Sequence, residues 1–285
     1  MGRPLRVAVA SGKGGTGKTT VATSLATTLA SDGCAVCYVD ADVEAPNGHL
    51  FLKPDIHTER RVRLPVPEVD TDRCKGHGKC AELCEYGAIV AVGGRAVVLP
   101  DLCHGCGGCA LVCPEKAIRE RPREIGTVSE GKAGAIDFVG GRLDIGQPLA
   151  PPVIAVARRR ATKGRIQIVD APPGTSCPAV SAVGDVDAAL LVTEPTPFGL
   201  HDLQLAVEMV RLLEVPFAVA VNRAEADADN VRSWCRDQGI DILAELPDDR
   251  RVAEACARGQ ITVEALPEYA PAYRELWTRI EGLAA

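Results

Sequence analysis

A glycine-rich segment, SGKGGTGKTT at Ser11–Thr20, constrains the fold more strongly than any other part of the chain. It follows a β-branched run, RVAVAS at Arg6–Ser11, and precedes a helical sequence that ends near Gly33. Its spacing, G-x-x-x-x-G-K-T, is typical of a loop whose backbone N–H groups surround phosphate oxygens at a helix N-terminus. A strand, this loop and a helix in that order predict an α/β protein with a nucleotide site at its first helix.

Individual members of the loop have separate expected roles. Lys18 is expected to neutralise the β- and γ-phosphates, and the Thr19 hydroxyl is expected to complete a magnesium shell. The other residues expected to surround the nucleotide are Gly12, Gly14, Gly15, Thr16, Gly17 and Thr20. The predicted cofactors at this site are therefore ATP or ADP together with Mg²⁺.

The remainder of the chain alternates buried strands with helices, apart from one segment rich in cysteine. The strand-like runs are CAVCYVD (34–40), RIQIVDA (165–171), DAALLVT (187–193), PFAVAVN (216–222) and IDILAEL (240–246). Strands alternating with helices predict a mostly parallel sheet with helices on both faces. From about Lys53 to Arg123 we expect short elements only, and FVGGRLDIG (138–146) predicts a hairpin that turns at Gly140–Gly141.

Charge and hydropathy narrow the range of partners and the compartment. The net charge of −6 argues against capture of nucleic acid, and no run of 18 apolar residues suggests a membrane span. The first apolar run is too short for a signal peptide, so we expect a cytoplasmic protein. In that reducing compartment, the chain's 12 cysteines are expected to be metal ligands or core residues instead of disulfides.

Seven of these cysteines lie between Cys74 and Cys113, and four of them form a recognisable run. Cys103, Cys106, Cys109 and Cys113, followed by Pro114, give C-x-x-C-x-x-C-x-x-x-C-P. This is the spacing of bacterial two-cluster ferredoxins, in which the fourth cysteine binds the other cluster. Zinc sites more often use two separated pairs of ligands, so the spacing favours iron–sulfur clusters over zinc.

A second run has the same spacing but a different ligand set. Cys74, His77, Cys80 and Cys84 are followed by Glu85, and CAELCEYGAI (80–89) repeats as CALVCPEKAI (109–118). Crossed ligation then predicts one 4Fe–4S cluster on Cys84, Cys103, Cys106 and Cys109. The second site has Cys74, Cys80 and Cys113 with His77 at the fourth corner. It is a His-ligated 4Fe–4S cluster, a 3Fe–4S cluster or a labile site, and His77 is alternatively a loop residue that binds no iron.

Lys13 adds a second lysine to the phosphate loop, and G-K-G-G-x-G-K-T resembles the deviant Walker loop of the MinD, Mrp and nitrogenase iron protein superfamily. Further segments resemble the same superfamily: VDADVEAPN (39–47), IVDAPPGTSCP (168–178), VTEPTPFGLHDL (192–203), AVNRAEAD (220–227) and ELPDDRRVAEA (245–255). The cysteine runs are similar to the ferredoxin domain that some of these P-loop ATPases contain. The resemblance implies a discontinuous ATPase domain, 1–66 and 121–285, and an inserted α+β ferredoxin-type domain, 67–120.

The resemblance also implies roles for residues outside the phosphate loop's core. Lys13 is expected to reach the nucleotide bound by the other protomer of a homodimer, and Asp42 to orient the attacking water. Asp40 is expected near the magnesium shell, and Asp170 to hold Mg²⁺ through water. The implied nucleotide contacts further along the chain are Gly174 at the γ-phosphate, Asn222 at the adenine edge and Pro247 over the base.

Three functions are compatible with these features. The leading hypothesis is a slow or partner-stimulated ATPase whose nucleotide-dependent homodimer controls electron transfer to an unidentified redox partner. The alternative is an iron–sulfur cluster carrier or assembly scaffold that serves an apo-protein client, and a third is a MinD-like positioning ATPase with structural clusters. The other cysteines, Cys34, Cys37, Cys177, Cys235 and Cys256, are expected to be structural, although Cys177 follows the segment that resembles the second switch.

Overall fold

The structure is a computed structural model that describes residues 5–161, 163–224 and 229–284. Its strands are β1 (Arg6–Ala10), β2 (Val36–Asp40), β3 (Asp55–Val69), β4 (Ile89–Val92), β5 (Arg95–Val98), β6 (Ile118–Ala133), β7 (Ile136–Leu143), β8 (Ile166–Asp170), β9 (Ala188–Thr193), β10 (Phe217–Ala224) and β11 (Ile242–Pro247). Its α-helices are α1 (Lys18–Ser31), α2 (Gly48–Leu52), α3 (Lys79–Leu83), α4 (Gly108–Val112), α5 (Pro151–Arg160), α6 (Cys177–Val183), α7 (Pro197–Leu212), α8 (Asp229–Asp237), α9 (Arg250–Ala257), α10 (Thr262–Ala265) and α11 (Ala270–Leu283). Within these described ranges, every helix is too short or too polar to cross a bilayer.

Most of the strands form one large sheet. Its nine strands follow the order β11-β10-β9-β1-β8-β2-β7-β6-β3. All strand pairs from β11 to β7 are parallel. Successive residues of β1, from Val7 to Ala10, are all buried, so both faces of this strand are covered. The predicted α/β fold with a mostly parallel sheet is therefore confirmed.

The central helix α1 and the C-terminal helix α11 pack in one apolar cluster with the sheet. Val21 and Leu25 of α1 join Val7 and Val9 of β1 in this cluster, and Trp277 of α11 completes it. Leu25 is fully buried, and truncating such a leucine to alanine typically costs about 2–5 kcal/mol. This packing holds the first turn of α1 rigidly at the end of β1.

The segment from about Lys53 to Arg123, expected to contain short elements only, contains all of β3 and the start of β6. β3 has 15 residues and β6 has 16. Val62, Leu64 and Val66 of β3 are buried and alternate with exposed neighbours, which is the pattern of a half-buried strand. Pro65 and Pro67 obscure this pattern in the sequence, yet β3 is the last strand of the sheet, where proline's missing N–H is tolerated.

The expected hairpin turn at Gly140–Gly141 is wrong. Both glycines lie inside β7, and the turn between β6 and β7 is formed by Gly134 and Ala135. Gly140 pairs with Asp40 of β2, and a Cβ atom added to it would lie 2.9 Å from the Phe138 ring. Gly140 therefore provides close packing inside a strand and does not form a turn.

The chain divides into two compact units. The first contains the described residues of 1–59, 128–142 and 154–285, and the second contains Arg60–Thr127 and Leu143–Val153. The predicted insert, 67–120, lies inside the second unit, whereas residues 1–4, 162, 225–228 and 285 of the predicted ATPase domain lie outside the described residues. In the second unit, β4 and β5 form a separate antiparallel pair.

Candidate functional site

The phosphate-loop segment connects β1 to α1 in a conformation that requires glycine. Gly15 and Gly17 have φ values of +85° and +86°, in the left-handed region where a Cβ atom is unfavourable. A Cβ atom on Gly17 would also lie 2.2 Å from Nδ2 of Asn222, and one on Gly12 would lie 1.9 Å from the Asp202 carbonyl oxygen. The loop thus packs against Asp202 of α7 and Asn222 of β10. Its backbone amides lie at the N-terminus of α1.

Two neighbouring strands end in aspartates at this edge of the sheet. Asp40 of β2 and Asp170 of β8 are directly paired in the parallel register, and both are fully buried. Asp170 Oδ2 accepts hydrogen bonds from the Thr19 hydroxyl at 2.6 Å and from the Tyr38 hydroxyl at 2.8 Å. Its Oδ1 lies 3.7 Å from Lys18 Nζ and accepts no hydrogen bond from the described residues.

A buried carboxylate oxygen that accepts no hydrogen bond from the described residues fits a magnesium shell. Mg²⁺ is usually held by one or two carboxylates, waters and phosphate oxygens. Asp170 Oδ1 and the Thr19 hydroxyl can supply oxygen ligands for the ion, and the buried Lys18 ammonium supplies positive charge for the phosphates. Sequence reasoning missed Tyr38, although it stands two residues before Asp40 and therefore on the same face of β2.

Burial raises the pKa of Asp40, the last residue of β2, and of Asp42, which follows the strand. The pKa of Asp40 lies well above its usual range because of burial and the negative charge of Asp170. Burial likewise raises the pKa of Asp42, against the positive charge of Lys18. Asp40 Oδ2 accepts the Gly48 backbone N–H at 2.9 Å, and Asp42 Oδ1 accepts that of Ala45 at 3.4 Å. Three buried carboxylates around one lysine form a site that favours additional positive charge.

A cavity of about 490 Å³ opens beside these groups. The predicted residues that line it are Gly14, Gly15, Gly17, Lys18, Thr19, Thr20, Asp42, Asn222 and Pro247. The sequence analysis did not identify the other lining residues: Ala45, Asn47, Phe51, Pro173, Arg223, Asp248, Asp249, Val252, Ala253 and Cys256. The structure thus brings together residues from the first loop, the second strand's loop and the C-terminal third of the chain.

The remaining predicted nucleotide residues lie beside this cavity. Gly174, at φ +89°, donates its backbone N–H to the Ser11 carbonyl at 2.9 Å. Asn222 Nδ2 donates to the Thr16 carbonyl at 2.8 Å, so this amide supports the loop directly. Its role at the adenine edge stays a prediction, and residues 225–227 of the segment that contains it lie outside the described residues.

Lys13 has a partner within its own chain. Its Nζ lies 3.6 Å from Glu194 Oε2, and the Arg223 guanidinium binds the other oxygen of the same carboxylate. Glu194 directly follows β9 and was missed by sequence reasoning, although a carboxylate at a strand's C-terminal end is a general site signal in parallel sheets. Lys13 is 31% exposed, so it is accessible from solvent while paired.

The two cysteine runs fold into matching local structures. α3 and α4 are 29 positions apart, and each is preceded by two glycines in the left-handed region. These glycines are Gly76 and Gly78 before α3, and Gly105 and Gly107 before α4, with φ between +69° and +77°. Each helix ends at a cysteine with extended backbone, Cys84 and Cys113. The sequence repeat is therefore also a repeat in the backbone.

The fourth cysteine of each run lies with the first three ligand positions of the other run. One cavity, of about 320 Å³, is lined by Cys84 together with Cys103, Cys106 and Cys109. A second, much smaller cavity of about 20 Å³ is lined by Cys74, His77, Cys80 and Cys113. Cys80 lines both cavities. Crossed ligation predicts the same two groupings, and the assignment of the ligands stays a prediction.

Two of the cysteine sulfurs accept backbone hydrogen bonds. The Gly105 N–H donates to Cys103 Sγ at 3.4 Å, and the Ala117 N–H donates to Cys113 Sγ at 3.3 Å. Hydrogen bonds to the sulfurs are one of the features that tune iron–sulfur clusters. Burial raises the pKa of Cys80 and Cys109, so binding of a metal there would release protons.

Among residues 5–161, 163–224 and 229–284, no three His, Cys, Asp or Glu side chains converge on a point suitable for one metal ion. An iron–sulfur cluster has a different requirement, because its thiolates bind different iron atoms and stand around the cluster. His77 Nε2 lies 2.9 Å from Glu115 Oε1, a contact that the sequence analysis did not anticipate. The cysteine and histidine assignments therefore stay predictions.

The other cysteines differ in exposure. Cys37 and Cys235 are buried, and burial raises the pKa of Cys235 to about 11. Cys34 is half-buried and packs against the main apolar cluster, whereas Cys177 is exposed at the start of α6. Cys256 was expected to be purely structural, but it lines the 490 Å³ cavity, with its Sγ 3.5 Å from Thr20 Oγ1.

Comparisons with known proteins place this geometry among nucleotide-binding proteins. Residues 7–263 match the family described as the CobQ/CobB/MinD/ParA nucleotide binding domain. The chain is 28% identical, over 287 residues, to an uncharacterized protein of Methanocaldococcus jannaschii, covering 100% of this chain and 98% of that protein. It is also 26% identical, over 272 residues, to an iron–sulfur cluster carrier protein of Pyrococcus abyssi, covering 89% of this chain and 77% of that protein.

The fold is similar to that of a solved protein structure. The septum site-determining protein MinD of Pyrococcus horikoshii, in complex with Mg-ADP, superposes with a TM-score of 0.58. The alignment covers 99% of this chain and 97% of that chain at 21% sequence identity, a level at which the likeness concerns the fold alone.

Proposed function

Because the chain belongs to the CobQ/CobB/MinD/ParA family of nucleotide-binding domains, we propose that it is an ATP-hydrolysing iron–sulfur protein. In this proposal a nucleotide-dependent homodimer controls electron transfer through two clusters. The observation that carries the proposal is the crossed grouping of the cysteines, with Cys84 beside Cys103, Cys106 and Cys109, and Cys113 beside Cys74 and Cys80. A P-loop site alone would support only nucleotide binding.

The nucleotide-binding part of the proposal rests on the groups at the edge of the large sheet. The loop amides and Lys18 would bind the phosphates, and Thr19 with Asp170 would hold Mg²⁺, which neutralises charge on the transferred phosphoryl group. Asp42 lines the cavity and would orient the attacking water. Asn222 and Pro247 line the same cavity, which supports their assignment to the base.

The part of the proposal that concerns the dimer depends on Lys13. In one chain its ammonium lies beside Glu194, which also binds Arg223. Lys13 would leave Glu194 and reach the partner's phosphates when ATP brings two protomers together. Arg223 remains beside Glu194 in that step, so this carboxylate, only 12% exposed, does not lose all of its positive neighbours.

The part of the proposal that concerns the clusters follows the two cysteine groupings. One 4Fe–4S cluster would be held by Cys84, Cys103, Cys106 and Cys109. The second cluster, of 4Fe–4S or 3Fe–4S type, would be held by Cys74, Cys80 and Cys113, with His77 as a candidate fourth ligand. Because the second cavity is much smaller, its side chains must move apart to accept a cluster.

The proposed gating would begin at the carboxyl end of β2, because Asp40 ends this strand and Asp42, two residues later, lines the nucleotide cavity. Release of the γ-phosphate changes the charge near Asp40 and Asp42. Gating of this kind needs two states of such an element that nucleotide binding favours unequally.

The test of the proposal is composition and nucleotide binding in anaerobically purified protein. We expect iron and acid-labile sulfide near eight of each per chain for two 4Fe–4S clusters, roughly, and saturable ATP binding by calorimetry. Replacing Cys103, Cys106 and Cys109 with serine should remove one cluster's EPR signal and leave ATP binding intact. Protein that contains no sulfide, or that binds no adenine nucleotide, would contradict the proposal.

Gating is tested separately by redox titration. The midpoint potentials of the clusters should differ with and without a non-hydrolysable ATP analogue, and the difference should disappear in Lys13→Ala if dimerisation is its cause. Potentials and electron-transfer rates that are unchanged by the analogue would leave an iron–sulfur ATPase without gating.

A second candidate function is an iron–sulfur cluster carrier, favoured by the 26% identity to the Pyrococcus abyssi carrier protein. In this case the clusters pass to an apo-protein client instead of electrons passing to a redox partner. Incubation of loaded protein with an apo-ferredoxin acceptor separates the two, because a carrier loses sulfide to the acceptor and an electron-transfer protein retains it. Neither nucleic acid nor a membrane is part of either candidate.

A further inference from the structure

The two halves of the cysteine repeat differ at several positions, and two of these positions contribute side chains to one site. Adding 29 to a position in the first run gives its counterpart, so His77 corresponds to Cys106 and Tyr86 corresponds to Glu115. The backbone is conserved between the halves: His77 lies between Gly76 and Gly78, and Cys106 between Gly105 and Gly107, all four left-handed. The fold therefore presents His77 from the position at which the other half presents a cysteine ligand.

The residue two positions after the fourth cysteine contacts a different partner in each half. Tyr86, after Cys84, stacks on His104 with ring centroids 3.6 Å apart. Glu115, after Cys113, lies 2.9 Å from His77 Nε2. Since Cys84 and Cys113 are exchanged between the runs, Glu115 belongs to the same cavity as His77. The site that lacks a fourth cysteine is therefore the site at which a carboxylate is bound to the substituting histidine.

We propose that Glu115 is a positioning residue that prepares His77 to bind the fourth iron at the site of Cys74, Cys80 and Cys113. This inference rests on the proposed function, since it requires that the chain bind iron–sulfur clusters. A neutral imidazole binds a metal through one nitrogen and usually donates its other ring N–H to a carboxylate or carbonyl. With Nε2–H donated to Glu115, Nδ1 is the nitrogen that carries the lone pair for iron.

Stability of the fold does not account for this pair. The side chains of His77 and Glu115 are 46% and 39% exposed, and exposed ion pairs contribute at most about 1 kcal/mol. Both residues also line the small cavity together with its three thiols. Orientation of a ligand explains why an acceptor for the ring N–H lies at this site.

The inference has a consequence for the two clusters. Histidine in place of cysteine raises the reduction potential of an iron–sulfur centre. The cluster at Cys74, Cys80 and Cys113 should therefore be reduced first, and the all-cysteine cluster second. The insert would then carry a built-in direction for electrons.

The experiment uses the full chain, purified anaerobically, with iron and sulfide analysis and EPR-monitored redox titration. We expect two EPR components in the wild type, and His77→Cys should lower the midpoint potential of the higher-potential component alone. Glu115→Gln should change the potential or line shape of that same component. It should also speed the loss of its iron to a chelator by about 10- to 100-fold, the usual effect of removing the residue that orients a ligand. Glu115→Asp should restore part of this retention.

Glu85→Gln is the matched control, because Glu85 follows Cys84 and lines the cavity of the other cluster. It should leave the higher-potential component as in the wild type. If Glu115→Gln behaves like this control, or His77→Ala leaves both components unchanged, the inference is wrong. A wild type with one cluster per chain also overturns it and leaves the proposed function standing, whereas a wild type without sulfide removes the proposed function itself.

Discussion

Asp170 joins groups that are widely separated along the chain. The hydroxyls of Thr19 and Tyr38 both donate to its Oδ2, and Lys18 faces its Oδ1. These contacts cross 151 and 132 positions of sequence for Thr19 and Tyr38. Two hydroxyls held on one oxygen leave the other oxygen oriented toward the phosphate loop, where a magnesium shell needs a carboxylate.

Asp40 provides a prediction about pH at the residue scale. Its folded-state pKa lies well above the unfolded value of about 3.8, because of burial and the Asp170 charge. Between those two values the folded state binds more protons than the unfolded state, so the free energy of unfolding falls as pH rises. Asp40→Asn should reduce this fall, as measured by urea unfolding from about pH 5 to pH 8 without magnesium or nucleotide.

Asp32→Asn is a control of opposite sign. The hydrogen bond from Arg274 lowers the pKa of Asp32, so its contribution to stability is present above the unfolded pKa and is lost as pH falls. This variant should therefore lose a little stability at neutral pH, and the loss should shrink as the pH falls. Parallel pH profiles for the wild type and Asp40→Asn would contradict the account of Asp40.

At the scale of elements, the two ends of α1 depend on glycine for different reasons. Gly17 and Gly33 both have left-handed backbone, with φ of +86° and +84°. A Cβ atom on Gly17 meets Asn222 at 2.2 Å, whereas one on Gly33 meets nothing within 4 Å. Gly33→Ala should therefore cost about 1–2 kcal/mol of stability and retain ATP binding.

Gly17→Ala should abolish ATP binding, because it displaces Asn222 and the loop amides in addition to straining the backbone. Calorimetric titration with ATP, together with thermal unfolding of both variants, separates the two effects. Equal ATP affinity in Gly17→Ala and Gly33→Ala would show that the contact with Asn222 is unimportant.

Elements also show where sequence patterns are ambiguous. The repeat that contains α3 and α4 could be predicted, because cysteine spacing and glycines act over a few residues. Pro65 and Pro67 argue against a strand at β3 in the sequence. Proline is tolerated in a strand at the edge of a sheet, and the sequence alone does not show that β3 lies there. Gly140–Gly141 has the composition of a turn, but Gly140 lies inside β7, where a Cβ atom would be 2.9 Å from the Phe138 ring.

At the scale of the whole molecule, the proposed dimer predicts the behaviour of Lys13. Lys13→Ala should retain ATP binding and lose ATP-dependent dimerisation, as measured by light scattering after gel filtration. Glu194→Gln should lower the ATP concentration needed for dimerisation, because it weakens the ion pair that holds Lys13 within its own chain.

Lys132→Ala is the matched control for this prediction. Lys132 is a 64% exposed lysine that pairs with Asp137 in the same unit, away from the phosphate loop. Its replacement should leave dimerisation unchanged. A Lys13→Ala protein that dimerises with ATP like this control would contradict the proposed role of Lys13.

The sequence by itself determined the family and the α/β class, and it predicted the chemistry of the two local motifs. Spacing over ten or so residues is enough for this, because a loop before a helix or a closely spaced cysteine run forms its geometry locally. Tertiary structure alone decided which distant residues meet: Tyr38 with Asp170, Lys13 with Glu194, and His77 with Glu115. Such contacts depend on strand order, register and the folding of one repeat against the other, and no short segment specifies these because each requires partners far along the chain.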